Sequence, residues 1–364
     1  MSIAQGAIKS GEMRGPMQVG EHPAQAVLDG AIGLALATGV PLQLRGPLRD
    51  ADLALAMAAV KLGGDADAAR EALAATGEVE LTLPHPRAGV HVLDLPYPGA
   101  IARALWTLSW PLALLGKPSE LRLRGPNHSD GAPTFHDLRL GWAPFAAQFG
   151  LKMALELTQA GFGSDDGEIV ASLDPAPALT PLRAVHRGLL RQVSVVAAGG
   201  GGRHEAAQEA AERVVRAMRR RGVIAEVERV PLPLPPSSPA RSRWAITATA
   251  EFENSVVTVS TLGQAPALVG PEQGDRLAER LSRFLERRGA LDANMAERML
   301  LPSCLCASGL GARAGTPPSC HYTTSEVTGS LLELATIARQ ALPVRAVVDG
   351  AEGEEGVVVV APQA

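Results

Sequence analysis

Residues 24–47 read AQAVLDGAIGLALATGVPLQLRGP, and residues 99–126 read GAIARALWTLSWPLALLGKPSELRLRGP. Each is an apolar helical run closed by a glycine and a proline, Gly39 and Pro41 in the first, Gly116 and Pro118 in the second. Glycine just past a helix supplies the left-handed cap, and proline stops the helix from continuing. A short alternating run follows in each, Leu42-Gln43-Leu44 and Leu121-Arg122-Leu123, and its period of two predicts a half-buried strand. Both copies end in Arg-Gly-Pro. A looser third copy is expected as helix 326–342, Pro343, strand 344–348 and Asp349-Gly350. Another helix-to-strand step is expected at 143–157, across Gly150. Self-similarity on this scale predicts a duplicated α+β unit rather than a doubly wound nucleotide-binding sheet.

The pattern is interrupted near residue 191. Gln192 to Ala197 reads as a strand, followed by the glycine run Gly199–Gly202 and a helix over 203–221. That helix has Ala207, Ala211, Val214, Val215 and Met218 on one face and Arg213, Arg216, Arg219, Arg220 and Arg221 on the other. A Pro/Ser segment, PLPLPPSSPARSR at 231–243, precedes two strands expected at 244–250 and 255–261. Residues 191–263 therefore read as a small α+β module inserted into the repeats. Helices at 272–289 and 292–300 are expected to resume the main body, and 344–348 with 356–360 to close it as a strand pair.

The composition limits the class. The chain has 364 residues, 46% hydrophobic and 20% charged, which suits a globular protein of about two domains. A net charge of −4 gives no global reason to expect a polyanionic partner. Cys304, Cys306 and Cys320 cannot all pair, so this is no disulfide scaffold, and they read as buried thiols rather than a zinc site. The first twenty residues lack the apolar core of a signal peptide and no apolar run reaches about 18 residues, so the expectation is a cytoplasmic protein with no membrane span.

Few residues offer chemistry. The four glycines at 199–202 lack the Gly-Lys-Ser/Thr that a phosphate loop requires and read as a strand-to-helix connection. Trp106 and Trp110 read as core, and His22, His128 and His136 as loop histidines. His321 sits in Thr316-Pro-Pro-Ser-Cys-His-Tyr-Thr-Thr-Ser325, which reads as a proline-anchored loop ahead of helix 326–342. A histidine near a helix N-terminus has backbone N–H groups beside it for an anion, and the local field keeps its ring neutral and nucleophilic.

The stretch from Leu300-Leu301-Pro302 through Pro318-Ser319-Cys320-His321 to Leu342-Pro343-Val344-Arg345 resembles the C-terminal part of RNA 3′-terminal phosphate cyclases. Gly125 through Ala132-Pro133, Gly161-Phe162 to Gly167, and Arg203-His204-Glu205 resemble further segments of that family in the same order. The resemblance spans about residues 17–360. It implies an α+β main domain of three repeated units, helices packed on four-stranded sheets, over 17–190 plus 264–364. A smaller inserted α+β domain would occupy 191–263, and 1–16 would be a flexible N-terminus.

The resemblance also implies a reaction. His321 would attack the α-phosphate of ATP, and the resulting AMP would pass to an RNA 3′-phosphate, which the neighbouring 2′-hydroxyl then closes to a 2′,3′-cyclic phosphate. This is nucleophilic catalysis through an activated anhydride. Glu21 would meet the nucleotide and a Mg²⁺ or Mn²⁺ ion, with Gln25, Arg45, Arg49, Glu297, Pro318 and Ser319 as further nucleotide contacts. The chain departs from the family where Gly20-Glu21 continues as His22-Pro23-Ala24-Gln25 instead of glycines, and where a phosphate-binding arginine becomes Leu28 or Asp29. A family glutamine is replaced near Trp106, and Glu297 stands for an aspartate. The alternative is therefore a cyclase-like protein that binds RNA or assembles without catalysis. Enolpyruvyl transferases of similar architecture need Lys/Arg clamps that Lys9, Lys61, Lys117 and Lys152 hardly supply.

Overall fold

Strand β1 (Met17–Glu21), helix α1 (Gln25–Thr38), strand β2 (Leu42–Arg45), helix α2 (Asp50–Lys61) and strand β3 (Glu78–Leu81) open the chain. The computed structural model describes residues 15–45, 48–64, 78–163, 165–200, 205–234, 238, 242–264, 272–310 and 318–363. Gly39 closes α1 at φ 75°, and its N–H donates to the Ala35 carbonyl at 2.8 Å, the left-handed cap that the Gly-Pro punctuation predicts. β2 runs parallel to β1 and antiparallel to β3.

The second unit repeats that path: β4 (Val90–Asp94), α3 (Ala100–Ala113) and β5 (Ser119–Arg124). A helical stretch, α4, then follows in three pieces, Phe135–Asp137, a π-helical Leu138–Trp142 and Ala143–Gln148, before β6 (Met153–Gln159) and β7 (Glu168–Leu173). Its sheet runs β4-β5-β7-β6, with only β4 and β5 parallel.

The third unit is split. It consists of β8 (Arg183–Ala184), α7 (Ala293–Ala307), β13 (Cys320–Thr324), α8 (Gly329–Ala341), β14 (Val344–Asp349) and β15 (Gly356–Pro362). Its order, β8-β13-β15-β14, matches the second unit strand for strand, again with only the first pair parallel. The phase differs from the sequence expectation. The equivalent of α1-to-β2 is α7-to-β13, whereas helix 326–342 with strand 344–348 corresponds to α4-to-β6. Both joins in a unit carry helix-stop punctuation, so punctuation alone does not distinguish them.

The long apolar helices pack on one another. α1 contacts α3, α7 and α8, and its buried residues run all round the helix. Gly30 and Gly33 permit this, because a Cβ on either would run into Leu334 of α8 or Leu301 of α7. Helices facing helices on one side and a sheet on the other leave little surface for polar residues, which explains the unbroken apolar composition.

Between β8 and α7 lie β9 (Leu190–Gly199), α5 (Glu205–Arg220), β10 (Ala225–Pro231), β11 (Arg243–Phe252), β12 (Val256–Gln264) and α6 (Glu272–Glu286). They form a four-stranded sheet, β10-β9-β11-β12, with a separate core. α6 does not join the main body as expected. Leu277, Ala278, Leu281 and Phe284 form an apolar face that packs in this second core beside α5. Polar contacts join the two cores: Thr134 Oγ1 lies 3.2 Å from Thr247 Oγ1, and the Ser260 hydroxyl donates to Asp137. Among the described residues no helix is long and apolar enough to cross a membrane.

Candidate functional site

His321 is on a strand. β13 alternates, with Cys320, Tyr322 and Thr324 buried and His321 and Thr323 half-buried between them. The His321 N–H donates to the Leu182 carbonyl at 2.9 Å, and its backbone pairs with Arg183 on β8 and Val359 on β15. The Tyr322 hydroxyl donates to the Ala296 carbonyl at 2.9 Å, fixing the strand to α7. The imidazole Nε2 lies 3.1 Å from Ser319 Oγ, and Pro318 precedes them, also half-buried. The expected loop at a helix N-terminus is thus corrected. Cys320 to Thr323 pair with the valines Val360 to Val357 of β15, β-branched residues that favour a strand, and α8 begins only at Gly329 under the Thr328 cap.

Glu21 is exposed at the end of β1, in register with Arg45 of β2. His22 follows with φ 50°, the one non-glycine at positive φ among the described residues. A glycine would take this conformation without cost, so the strained backbone persists where the resemblance places a glycine. Gln25 is the first residue of α1. The Arg49 guanidinium donates to Asp52 at 2.6 Å and to the Pro23 carbonyl at 3.3 Å. Glu297 on α7 is buried and accepts from the Thr328 hydroxyl at 2.6 Å; burial raises its carboxyl pKa.

A second set of charges gathers around Asp29 and Trp106, positions that the sequence marks only as departures from the family pattern. Asp29 accepts from Arg103 Nε at 2.8 Å, Arg103 Nη2 at 2.7 Å and Trp106 Nε1 at 3.1 Å. Arg103 Nη2 also lies 2.7 Å from Asp52, and Arg298 lies 3.7 Å from Asp29. The Arg298 guanidinium stacks 3.3 Å above the Trp106 ring. Asp29, Asp52 and Arg103 are all at most 3% exposed. The available signal was a lone charge inside an apolar helix, Asp29 in α1 and Arg103 in α3, since such a charge needs a buried partner.

These residues reach a cleft of about 440 Å³ between the two cores. Arg103, Trp106 and Arg298 line it, with the loop from Ser129 to Thr134, Thr258 to Leu262 of β12, and Arg280 of α6. Of the residues expected at the site, Gln25 alone is in this lining. The cleft's acids are Asp130, Asp137 and Asp292. Asp137 accepts from the Thr134 N–H at 2.7 Å, Asp292 caps α7 through the Met295 N–H at 3.1 Å, and burial raises both carboxyls. Arg103 Nη1, Ser129 Oγ and Trp142 Nε1 are buried without a hydrogen-bond partner among the described residues. Beside the cleft, His128 is stacked on Phe162 and His136 lies on α4; burial lowers their pKa values to about 3 and about 4.

Among the described residues no three His, Cys, Asp or Glu side chains gather to hold a metal. Cys304, Cys306 and Cys320 are free, buried thiols, and the Cys306 thiol donates to the Leu179 carbonyl at 3.5 Å. Ser164 and the segment from Gly201 to His204 lie outside the described residues, as do Gly46 and Pro47.

Comparison with known proteins gives one family. The family model described as RNA 3′-terminal phosphate cyclase matches residues 45–348. An RNA 3′-terminal phosphate cyclase of Methylococcus capsulatus is 28% identical over 233 residues, covering 60% of this chain and 62% of the relative. That of Pseudomonas aeruginosa is 26% identical over 262 residues, 71% of each chain. That of Ralstonia nicotianae is 25% identical over 307 residues, 82% of this chain and 85% of the relative.

Proposed function

The chain belongs to the RNA 3′-terminal phosphate cyclase family, and from that premise we propose that it converts an RNA 3′-terminal phosphate to a 2′,3′-cyclic phosphate with ATP as co-substrate. The observation that carries the reading is the family match running through Pro318-Ser319-Cys320-His321, with the imidazole half-exposed beside Ser319 on a strand locked at both edges. In the proposed reaction a ring nitrogen of His321 bonds to the α-phosphorus of ATP and pyrophosphate leaves. The terminal phosphate oxygen of the RNA then takes the AMP, freeing the imidazole and forming a phosphoanhydride. The 2′-hydroxyl attacks the RNA phosphorus, loses its proton and expels AMP. The AMP transfer turns an oxygen of the RNA phosphate, a poor leaving group, into AMP, a good one, which the last step then expels.

Each remaining expected residue has a proposed task. Glu21 and Arg45, register partners at the strand ends, face the nucleotide phosphates with Gln25 and Arg49, and Pro318 and Ser319 shape the approach to His321. Glu297 holds Thr328 and hence the start of α8. A single exposed carboxylate does not make a resident metal site, so Mg²⁺ or Mn²⁺ enters on the ATP phosphates, the usual mode for Mg²⁺.

A second reading is favoured by one observation. The cleft arginines Arg103 and Arg298 are engaged by Asp29 and Asp52, which leaves less positive charge for a triphosphate. On that reading the protein binds RNA ends without nucleotidyl transfer. An RNA carrying a labelled 3′-phosphate separates the two. With ATP and Mg²⁺ the cyclase reading expects the label to become phosphatase-resistant with wild type and to stay sensitive with His321→Ala. RNA bound with the label still sensitive in both would favour the second reading.

A further inference from the structure

The pairing of the third sheet sets one arginine beside His321. Leu182 and Ala184, on either side of Arg183, are buried, as are Cys320 and Tyr322 of β13 and Val358 and Val360 of β15. Arg183, His321 and Val359 therefore share the outward face, and the register puts them in one row, Arg183 opposite His321 and His321 opposite Val359. Two bonds hold the short β8 in place. The His321 N–H donates to the Leu182 carbonyl at 2.9 Å, and the Thr323 hydroxyl donates to the Val185 carbonyl at 3.0 Å. Neighbouring strands lie about 4.8 Å apart, a gap that an arginine side chain spans. Arg183 is exposed, and among the described residues no carboxylate lies at ion-pair distance from it. The acid of these four strands, Asp349, is on β14 at the opposite edge of the sheet.

An arginine that merely follows an arginine-rich composition sits on a sheet surface beside an acid. The matching sheet of the second unit does this, where Arg122 meets Glu120 at 2.7 Å and Arg124 meets Glu168 at 2.9 Å. In the third sheet the place beside Arg183 belongs to the imidazole instead. We propose that Arg183 is a further catalytic residue of the reaction read for His321, its guanidinium binding the non-bridging oxygens of the ATP α-phosphate. This rests on the reading that His321 attacks ATP. One phosphorus is the centre of both transfers. The bond from the ring nitrogen forms as pyrophosphate leaves with the electron pair of the broken P–O bond. The RNA phosphate oxygen then bonds to the same phosphorus, and the electron pair of the broken N–P bond returns to the ring. A guanidinium fixed beside the imidazole meets the phosphate oxygens with a planar fork of N–H donors and stabilises their charge through both steps.

The test is the single-turnover rate at which the chain takes up label from ATP labelled at the α-phosphate, with Mg²⁺, over a range of ATP concentrations. Removing one donor that stabilises transition-state charge costs at least about 100-fold in rate. Arg183→Gln should therefore slow labelling at saturating ATP by about 100-fold, with the half-saturating ATP concentration changed far less. Arg345→Gln, on the same face but on β14, should label close to the wild-type rate. Part of the lost rate should return in Arg183→Lys, and in Arg183→Ala when millimolar guanidinium chloride is added, recoveries that a merely structural role would not give. Arg183→Gln labelled at the wild-type rate, Arg345→Gln slowed as much, or a loss that neither lysine nor guanidinium restores would overturn the role of Arg183 while leaving the reading of His321 intact. Wild type that takes up no label would overturn both.

Discussion

Asp29 sits between two arginines in a helix that is otherwise apolar, and its carboxylate is the common partner of Arg103, Arg298 and the Trp106 indole. Breaking a buried pair leaves a charge without compensation, which costs about 3–5 kcal/mol. Asp29→Asn should lower the urea midpoint correspondingly. A midpoint within experimental error of wild type would show that water already reaches the arginines. His128 and His136 make a second residue-scale prediction. Both imidazoles are held below the free value of about 6.5, at about 3 and about 4, because burial disfavours the charged ring. Between those values the unfolded chain binds more protons than the folded one, so stability is lost as pH falls. From pH 7 to pH 5 each histidine should remove about 2 kcal/mol. A His128→Gln/His136→Gln variant should therefore lose about 4 kcal/mol less than wild type over that interval in urea unfolding. Equal losses would place the proton uptake elsewhere.

At the scale of elements, the helices depend on close backbone approach. Gly274 on α6 faces the Ala210 carbonyl of α5, and an added Cβ would overlap that oxygen. Alanine favours a helix over glycine by about 1 kcal/mol, whereas overpacking costs about 1–3 kcal/mol, so Gly274→Ala should be net destabilising. A raised thermal midpoint would mean that the two helices separate freely. This packing also explains an expectation that failed. The periodicity of 272–289 identifies a helix, but a helix face does not name the core it covers, and α6 covers the inserted sheet. β13 failed for a different reason. Proline punctuation before Ser319 suggests a loop, while the strand exists because β15 offers a row of valines to pair with. That pairing joins residues far apart in the chain.

For the whole molecule, the repeated α+β architecture and the interruption by a smaller sheet were legible from Gly-Pro punctuation, alternation and the change in composition near residue 191. The register of the third repeat was not, because its two halves are separated by the inserted strands and helices. The candidate site was legible only along the chain. The resemblance proposes Glu21, Arg45 and His321 along the chain, whereas the Asp29–Arg103–Arg298 network and the cleft between the cores arise from tertiary contacts. The central claim is that His321 is a nucleophile toward ATP. The direct measurement incubates wild type and His321→Ala with ATP labelled at the α-phosphate and Mg²⁺ or Mn²⁺, then looks for label on the denatured chain. Acid-labile, alkali-stable label on wild type and none on His321→Ala is the predicted result. Wild type that stays unlabelled with either ion, or label that persists on His321→Ala, would contradict it.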